Sequence, residues 1–236
     1  MRFKLHLALP GLAAAFGLAA VASPPAHAAL PYGPYTCASG YVWRAAYSGD
    51  AACVSSADRT AVATENALHP SRRQPGGGAW GPETCLSGFV WRVAGPPDLI
   101  CVPPSSRDRE AANNRNAFWR LEDPTQTPSG GISASSDSTR YSTGDYITVG
   151  GSGLTPNAQI QFYVQGRYAS GARYGAYQMS TLRATSNGTI PYGTSIGWLS
   201  CNRYLEGPPT VVVLDTGTGK VTTAGITYAP TVCGYA

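Results

Sequence analysis

The feature that most constrains this chain is an ungapped self-repeat. Residues Tyr32-Gly33-Pro34-Tyr35-Thr36-Cys37-Ala38-Ser39-Gly40-Tyr41-Val42-Trp43-Arg44 run in step with Trp80-Gly81-Pro82-Glu83-Thr84-Cys85-Leu86-Ser87-Gly88-Phe89-Val90-Trp91-Arg92. The register then holds through Ala46 and Ala94, Asp50 and Asp98, Cys53-Val54 and Cys101-Val102, Arg59 and Arg107, and Asn66 and Asn114. Two copies of one supersecondary unit follow from such a period, here assigned to residues 29–76 and 77–124.

Each copy encloses a readable hairpin. Phe89 to Val93 is β-prone, Gly95-Pro96-Pro97-Asp98 has turn chemistry, and Leu99 to Val102 returns as the partner strand. The simplest disulfides are therefore Cys37–Cys53 and Cys85–Cys101, each closing its own hairpin and contributing about 3 kcal/mol to a unit too small to bury much core. After the second cysteine, Ser55-Ser56-Ala57-Asp58 and Ser105-Ser106-Arg107-Asp108 look like N-terminal caps. Each predicts a short helix, poor in large apolar residues, lying against its own hairpin.

Strand alternation places Tyr41 with Trp43, and Phe89 with Trp91, on the face opposite Arg44 and Arg92. Two readings follow. In the first, the aromatics form a small core under the helix while Arg44 and Arg92 pair with Asp50 and Asp98. In the second, Trp43, Arg59 and Asn66, with Trp91, Arg107 and Asn114, form two ligand platforms that combine a stacking ring with fork-shaped donors. Two identical platforms suit a repeating polymer through avidity.

The unit Gly-Pro-x-Thr-Cys-x-Ser-Gly-Phe/Tyr-Val-Trp-Arg, followed by Asp, Cys-Val and an Arg/Asn-containing helix, resembles a tandem repeat of exported bacterial proteins. The likeness covers residues 32 to 120 or so and both copies keep all of these elements. It implies an exported, disulfide-containing, repeat-built protein and brings no enzyme class with it.

Export is also read from the N-terminus. Met1-Arg2-Phe3-Lys4, the apolar run Leu5 to Ala22 and the small-residue site Ala26-His27-Ala28 form a signal peptide over residues 1–28. Of the 17 basic residues, Arg2 and Lys4 leave with it, so the remainder stands close to balance with 13 acidic residues. His6 and His27 leave too, and the remaining His69 cannot build a multi-histidine metal site. It lies in the linker-like stretch His69 to Pro75, a poor place for a catalytic base. Six cysteines survive processing, an even number that reads as disulfides in an exported chain, with Cys201 and Cys233 as the third pair.

After a linker at 125–131 the period changes. Short β-rich runs begin at Ile132, Tyr146, Gln159, Tyr177, Pro209 and Val221, with turns such as Ser186-Asn187-Gly188 and Asp215 to Gly219 between them. Roughly seven strands over residues 132–236 match an immunoglobulin-like β-sandwich. The segment Ile147 to Ile160, a strand, Gly-rich turn and strand, resembles the start of many bacterial immunoglobulin-like modules. The expected fold is thus mixed: two disulfide-stapled hairpin-plus-helix repeats, then an all-β domain. Its many tyrosines read as half-buried on the sheet faces, and the run Arg167 to Tyr177 reads as a loop tip with the composition of a recognition surface.

Several chemistries find no support. Gly150-Gly151-Ser152-Gly153-Leu154 lacks the final glycine of a nucleophile elbow. No P-loop, dinucleotide fingerprint, zinc-protease motif or calcium loop is present. Residues 29–124 hold nine arginines against nine acidic residues, so nucleic acid is disfavoured by count. No segment after the leader is long and apolar enough to span a membrane. The expectation is a secreted, extracellular or periplasmic, non-catalytic binding protein without cofactor or metal, whose partner is an extracellular glycan or a surface protein. Its alternatives are a self-assembling structural protein and a hydrolase with dispersed carboxylates, for which Glu122, Asp123, Glu206 and Asp215 are the candidates.

Overall fold

The computed structural model describes residues 30–136, 144–165, 177–200 and 210–227. The expected leader, Cys201 and Cys233, Glu206, and residues 167–176 of the Arg/Tyr run lie outside the described residues.

The hairpins form as expected but are short. Strand β1 (Tyr41–Trp43) pairs antiparallel with β2 (Cys53–Ser55), and β3 (Val90–Trp91) pairs with β4 (Cys101–Val102). They stop early because Ala45 and Val93, one residue beyond each arginine, adopt φ of 55° and 56°. Non-glycine residues rarely enter that left-handed region, and the extended run breaks there. Disulfides Cys37–Cys53 and Cys85–Cys101 close the hairpins, each across 16 positions.

Helix α1 (Ser56–Arg72) follows the first hairpin, and Ser55 caps it, its hydroxyl accepting from the Asp58 N–H at 3.1 Å. His69 and Pro70, expected in a linker, belong to its last turn. In the second copy Ser105 is not the cap. Helix α2 (Pro104–Arg115) starts two residues earlier than that cap implies, with Pro103 at the cap position and Pro104 at N1, where a missing N–H costs nothing. A 3₁₀ turn, Ala117–Arg120, ends the repeat half.

The rest of the described chain is β. Strands β5 (Ser129–Ser136), β6 (Gly144–Gly151), β7 (Gln159–Gln165), β8 (Tyr177–Arg183), β9 (Ile190–Ser200), β10 (Thr210–Asp215) and β11 (Lys220–Thr227) form one sheet. Their order is β8-β7-β10-β11-β5-β6-β9, antiparallel except for β11 beside β5. The outer strands β8 and β9 approach each other, so the sheet nearly closes around Ile147, Ile160, Phe162, Val164, Val211 and Val213. The expected linker at 125–131 is ordered structure. Asp123 caps a 3₁₀ turn at Pro124–Gln126, β5 already begins at Ser129, and Thr223 N–H donates to the Pro128 carbonyl at 3.1 Å.

Strand β10 explains the docking of the two halves. Its run Thr210-Val211-Val212-Val213-Leu214 is apolar on both faces, as expected of a strand covered on both sides. Val211 and Val213 face the sheet interior, while Val212 and Leu214 join Tyr163, Phe118, Leu121 and Cys53 in a second cluster against the repeats. Phe118 stacks on Tyr163 with ring centroids 4.0 Å apart.

Candidate functional site

The two repeats do not stand as separate units; each completes the other. Arg44 and Arg92, 1% and 0% exposed, are among the most deeply buried side chains of the molecule. As expected, each grips the aspartate of its own turn with two parallel bonds, Arg44 to Asp50 at 2.8 and 2.9 Å and Arg92 to Asp98 at 2.8 and 2.8 Å. The remaining donors cross to the other copy. Arg44 reaches Asn114 at 2.7 Å, Glu110 at 3.3 Å and the Ala94 carbonyl at 3.1 Å. Arg92 reaches Asn66 at 2.9 Å, Glu65 at 3.3 Å and the Ala46 carbonyl at 3.4 Å. Such reciprocity, in which residue i meets j and j's counterpart meets i's, is that of an isologous two-fold interface.

The exchange extends to the backbone. Ala38 N–H donates to the Arg120 carbonyl and Leu86 N–H to the Arg72 carbonyl, so the tail of each repeat pairs with the opening segment of the other. The Arg120 guanidinium lies 5.3 Å from the Tyr41 ring centroid, and Arg72 lies 5.3 Å from that of Phe89. Where two identical side chains would collide, the copies differ. Tyr47 covers Gly95, its own counterpart, and a Cβ at Gly95 would overlap the tyrosine ring. The buried carboxylates are also displaced: Glu65 aligns with Asn113 and Glu110 with Val62, a shift of one helical turn that keeps both on the inner helix face. Arg109 bridges them, 2.8 Å from Glu65 and 2.9 Å from Glu110.

Charge within this network is mutually compensated. Burial pulls the Arg44 guanidinium toward deprotonation, but Asp50 and Glu110 outweigh it and hold the pKa above its ordinary value. Burial likewise works to raise that of Glu65, yet hydrogen bonds from Arg109, Ser106 and Arg92 bring it below the usual carboxylate value.

This network removes Asn66 and Asn114 from the expected platforms. Their amide oxygens accept from the buried arginines of the opposite repeat, so they hold the copies together. The tryptophans and outer arginines behave differently. Trp43 is 43% exposed and Trp91 half-buried, so they are not the core expected under the helix; the arginine face of each hairpin is buried instead. Each indole N–H donates to a backbone carbonyl, Trp43 to Tyr35 at 2.8 Å and Trp91 to Glu83 at 2.6 Å. The N–H edge of each ring is thereby tied to the backbone, while the ring lines a groove.

Two grooves result, lined by the same repeat positions. Tyr32, Cys37, Tyr41, Val42, Trp43 and Arg59 line the first, and their counterparts Trp80, Cys85, Phe89, Val90, Trp91 and Arg107 line the second. Gln74, Ala79, Thr84 and Val93 enlarge the second to about 600 Å³, against about 290 Å³ for the first. Tyr32 and Trp80, 72% and 75% exposed, were not singled out by sequence although they open the repeat motif. Tyr41 and Phe89 belonged to the core in the first of the two sequence readings.

The other candidates have structural partners. His69 Nδ1 accepts from the Cys101 N–H at 2.9 Å and its Nε2 meets Glu83 at 2.8 Å, bracing the second hairpin. That hydrogen bond, with Arg73, holds the Glu83 carboxyl below its ordinary pKa. Asp215 accepts from the Thr155 and Gly217 N–H groups at 2.8 and 2.9 Å, and Asp123 from Thr125 and Gln126 side chains at 2.6 and 3.1 Å. A further cavity of about 380 Å³ lies between the first hairpin and the β10–β11 turn; Ala117, which lines it, is the second copy's counterpart of His69, the residue that braces the second hairpin. Among the described residues, no cluster of three or more His, Cys, Asp and Glu side chains is arranged to hold a metal, and no helix is long and apolar enough to cross a membrane. No protein-family model, curated protein or solved structure matches the chain.

Proposed function

We propose that this is an exported, non-catalytic binding protein that recognises an extracellular polymer or cell-envelope glycan through the two repeat grooves. One observation carries the reading: twelve side chains at six equivalent positions line two separate grooves, each with a tryptophan tied at its N–H edge and an exposed arginine. A flat apolar ring face suits the C–H face of a sugar, and a planar fork of donors suits its oxygens. The β-rich half is read as an immunoglobulin-like module. In support, β7 and β8 lie beside β10 and β11, β6 and β9 lie together on the other side, and β5 joins the two groups.

The test is retention of the mature chain by insoluble cell-wall material and a panel of polysaccharides. Retention that falls on Trp43→Ala and Trp91→Ala, with circular dichroism unchanged, is expected. No retention by any glycan refutes the reading. Self-assembly is the second reading, favoured by Tyr192 and Trp119, 81% and 55% exposed and outside both grooves. It predicts that the mass from light scattering rises with protein concentration.

A further inference from the structure

We infer that the glycan is acidic, its carboxylates meeting Arg59 and Arg107 while its sugar faces lie on Trp43 and Trp91. The inference rests on the groove reading and narrows its ligand class.

It starts from a contrast among the arginines. Arg44, Arg73, Arg92 and Arg109 all form ion pairs, and Arg120 bonds Asn113 and the Cys53 carbonyl. Arg59, Arg107, Arg72 and Arg115 have no side-chain hydrogen bond or ion pair among the described residues, but Arg72 lies against the Phe89 ring and Arg115 lines neither groove, whereas Arg59 and Arg107 occupy the same position in the two copies, are exposed and each line a groove. No aspartate or glutamate lines either groove. Each groove therefore presents one guanidinium without a carboxylate partner beside aromatic surface. A guanidinium fork matches a carboxylate with two parallel charge-assisted bonds, an advantage a neutral sugar does not offer.

The interlock adds a second element. Because the two copies hold each other through the buried arginines, the grooves are fixed relative to one another rather than joined by a flexible tether. For a polymer with regularly recurring carboxylates that reaches both, the second contact forms at high effective concentration. Single-stranded nucleic acid also combines anionic groups with stacking faces, but its binding draws on a positive groove that tracks many phosphates. Here each groove supplies one cation.

The experiment compares the mature chain against polygalacturonate, dextran sulfate, neutral dextran and a single-stranded oligonucleotide, by affinity electrophoresis at low and high salt. Polygalacturonate is expected to bind at least about tenfold tighter than dextran and to weaken with salt. Arg59→Gln and Arg107→Gln should each lower that preference, the second more because its groove is larger, and together abolish it while circular dichroism stays unchanged. Tighter binding to dextran sulfate than to polygalacturonate, or to the oligonucleotide than to either, overturns the carboxylate assignment. Equal binding of dextran and polygalacturonate, unaffected by the arginine substitutions, overturns this inference and leaves the groove reading standing. Binding to none overturns both.

Discussion

Replacing Arg92 by methionine probes the interlock at its centre. The guanidinium is fully buried and donates six hydrogen bonds, to Asp98 twice, Glu65, Asn66 and the carbonyls of Val62 and Ala46. Methionine fills much of the stem's volume but leaves two buried carboxylates short of a counter-charge. Asp98 keeps the Ala94 N–H at 2.9 Å and Glu65 keeps Arg109 at 2.8 Å, so neither is wholly abandoned. Breaking a buried pair from one side costs about 3–5 kcal/mol. For a chain of this size that corresponds to a fall in Tm on the order of 10 °C. Urea unfolding under non-reducing conditions gives the magnitude, with the exposed Arg59→Gln as a control expected to stay within about 0.5 kcal/mol. Native-state hydrogen exchange gives the sharper result. Because Arg92 holds Glu65 and Asn66 on helix α1 of the first repeat, protection should fall in α1 as well as in the second hairpin. A cost under about 1 kcal/mol, or loss of protection confined to residues 85–102, would refute the reasoning.

Four further outcomes follow from the same contacts. Gly95→Ala should destabilise the repeat half by about 1–3 kcal/mol in urea unfolding, because its Cβ would displace Tyr47. His69→Ala leaves the Cys101 N–H without an acceptor and should cost about 1–3 kcal/mol, read as a lowered urea midpoint; an unchanged midpoint contradicts the bracing role. Phe118→Ala removes the ring stacked on Tyr163 and should cost about 3–5 kcal/mol, with exchange rising along the outer face of β10. Glu65 has a pKa lower in the folded than in the unfolded chain, so the unfolded state binds more protons in acid. Its contribution is complete above the ordinary carboxylate pKa and is lost as pH falls through the depressed folded value; Glu65→Gln should flatten that acid limb in pH-dependent melting.

The repeat made much of the first half legible. Constant spacing identified both hairpins and their disulfides, and the turn aspartates were natural partners for Arg44 and Arg92. It could not show which copy each remaining donor would serve, because equivalent positions look the same whether contacts form within a copy or across to the other. The displaced Glu65 and Glu110 concealed the crossing further, since neither aligns with a carboxylate. Of the two readings of the tryptophans, the packing one failed because it assigned burial to the aromatic face, whereas the two-fold contact buries the arginine face. Tyr32 and Trp80 escaped notice because they sit in turns, where aromatic residues carry no periodic signal. In the second half, six strands followed from their β-rich runs, and β9 was passed over. Pro191, Gly193 and Gly197 break its pattern, and it tolerates them as an edge of the sheet order with register shifts against β6. The stretch 125–131 has linker composition, but its polar groups and backbone are bonded against β11.

If both repeat grooves bind glycan, the interlocked repeats carry two sites per chain. Isothermal titration of the mature chain with an oligogalacturonide too short to bridge them tests it most directly. The account predicts two sites per chain, falling to one with Trp43→Ala or Trp91→Ala and to none with both. A single site, or two sites indifferent to both substitutions, would contradict it.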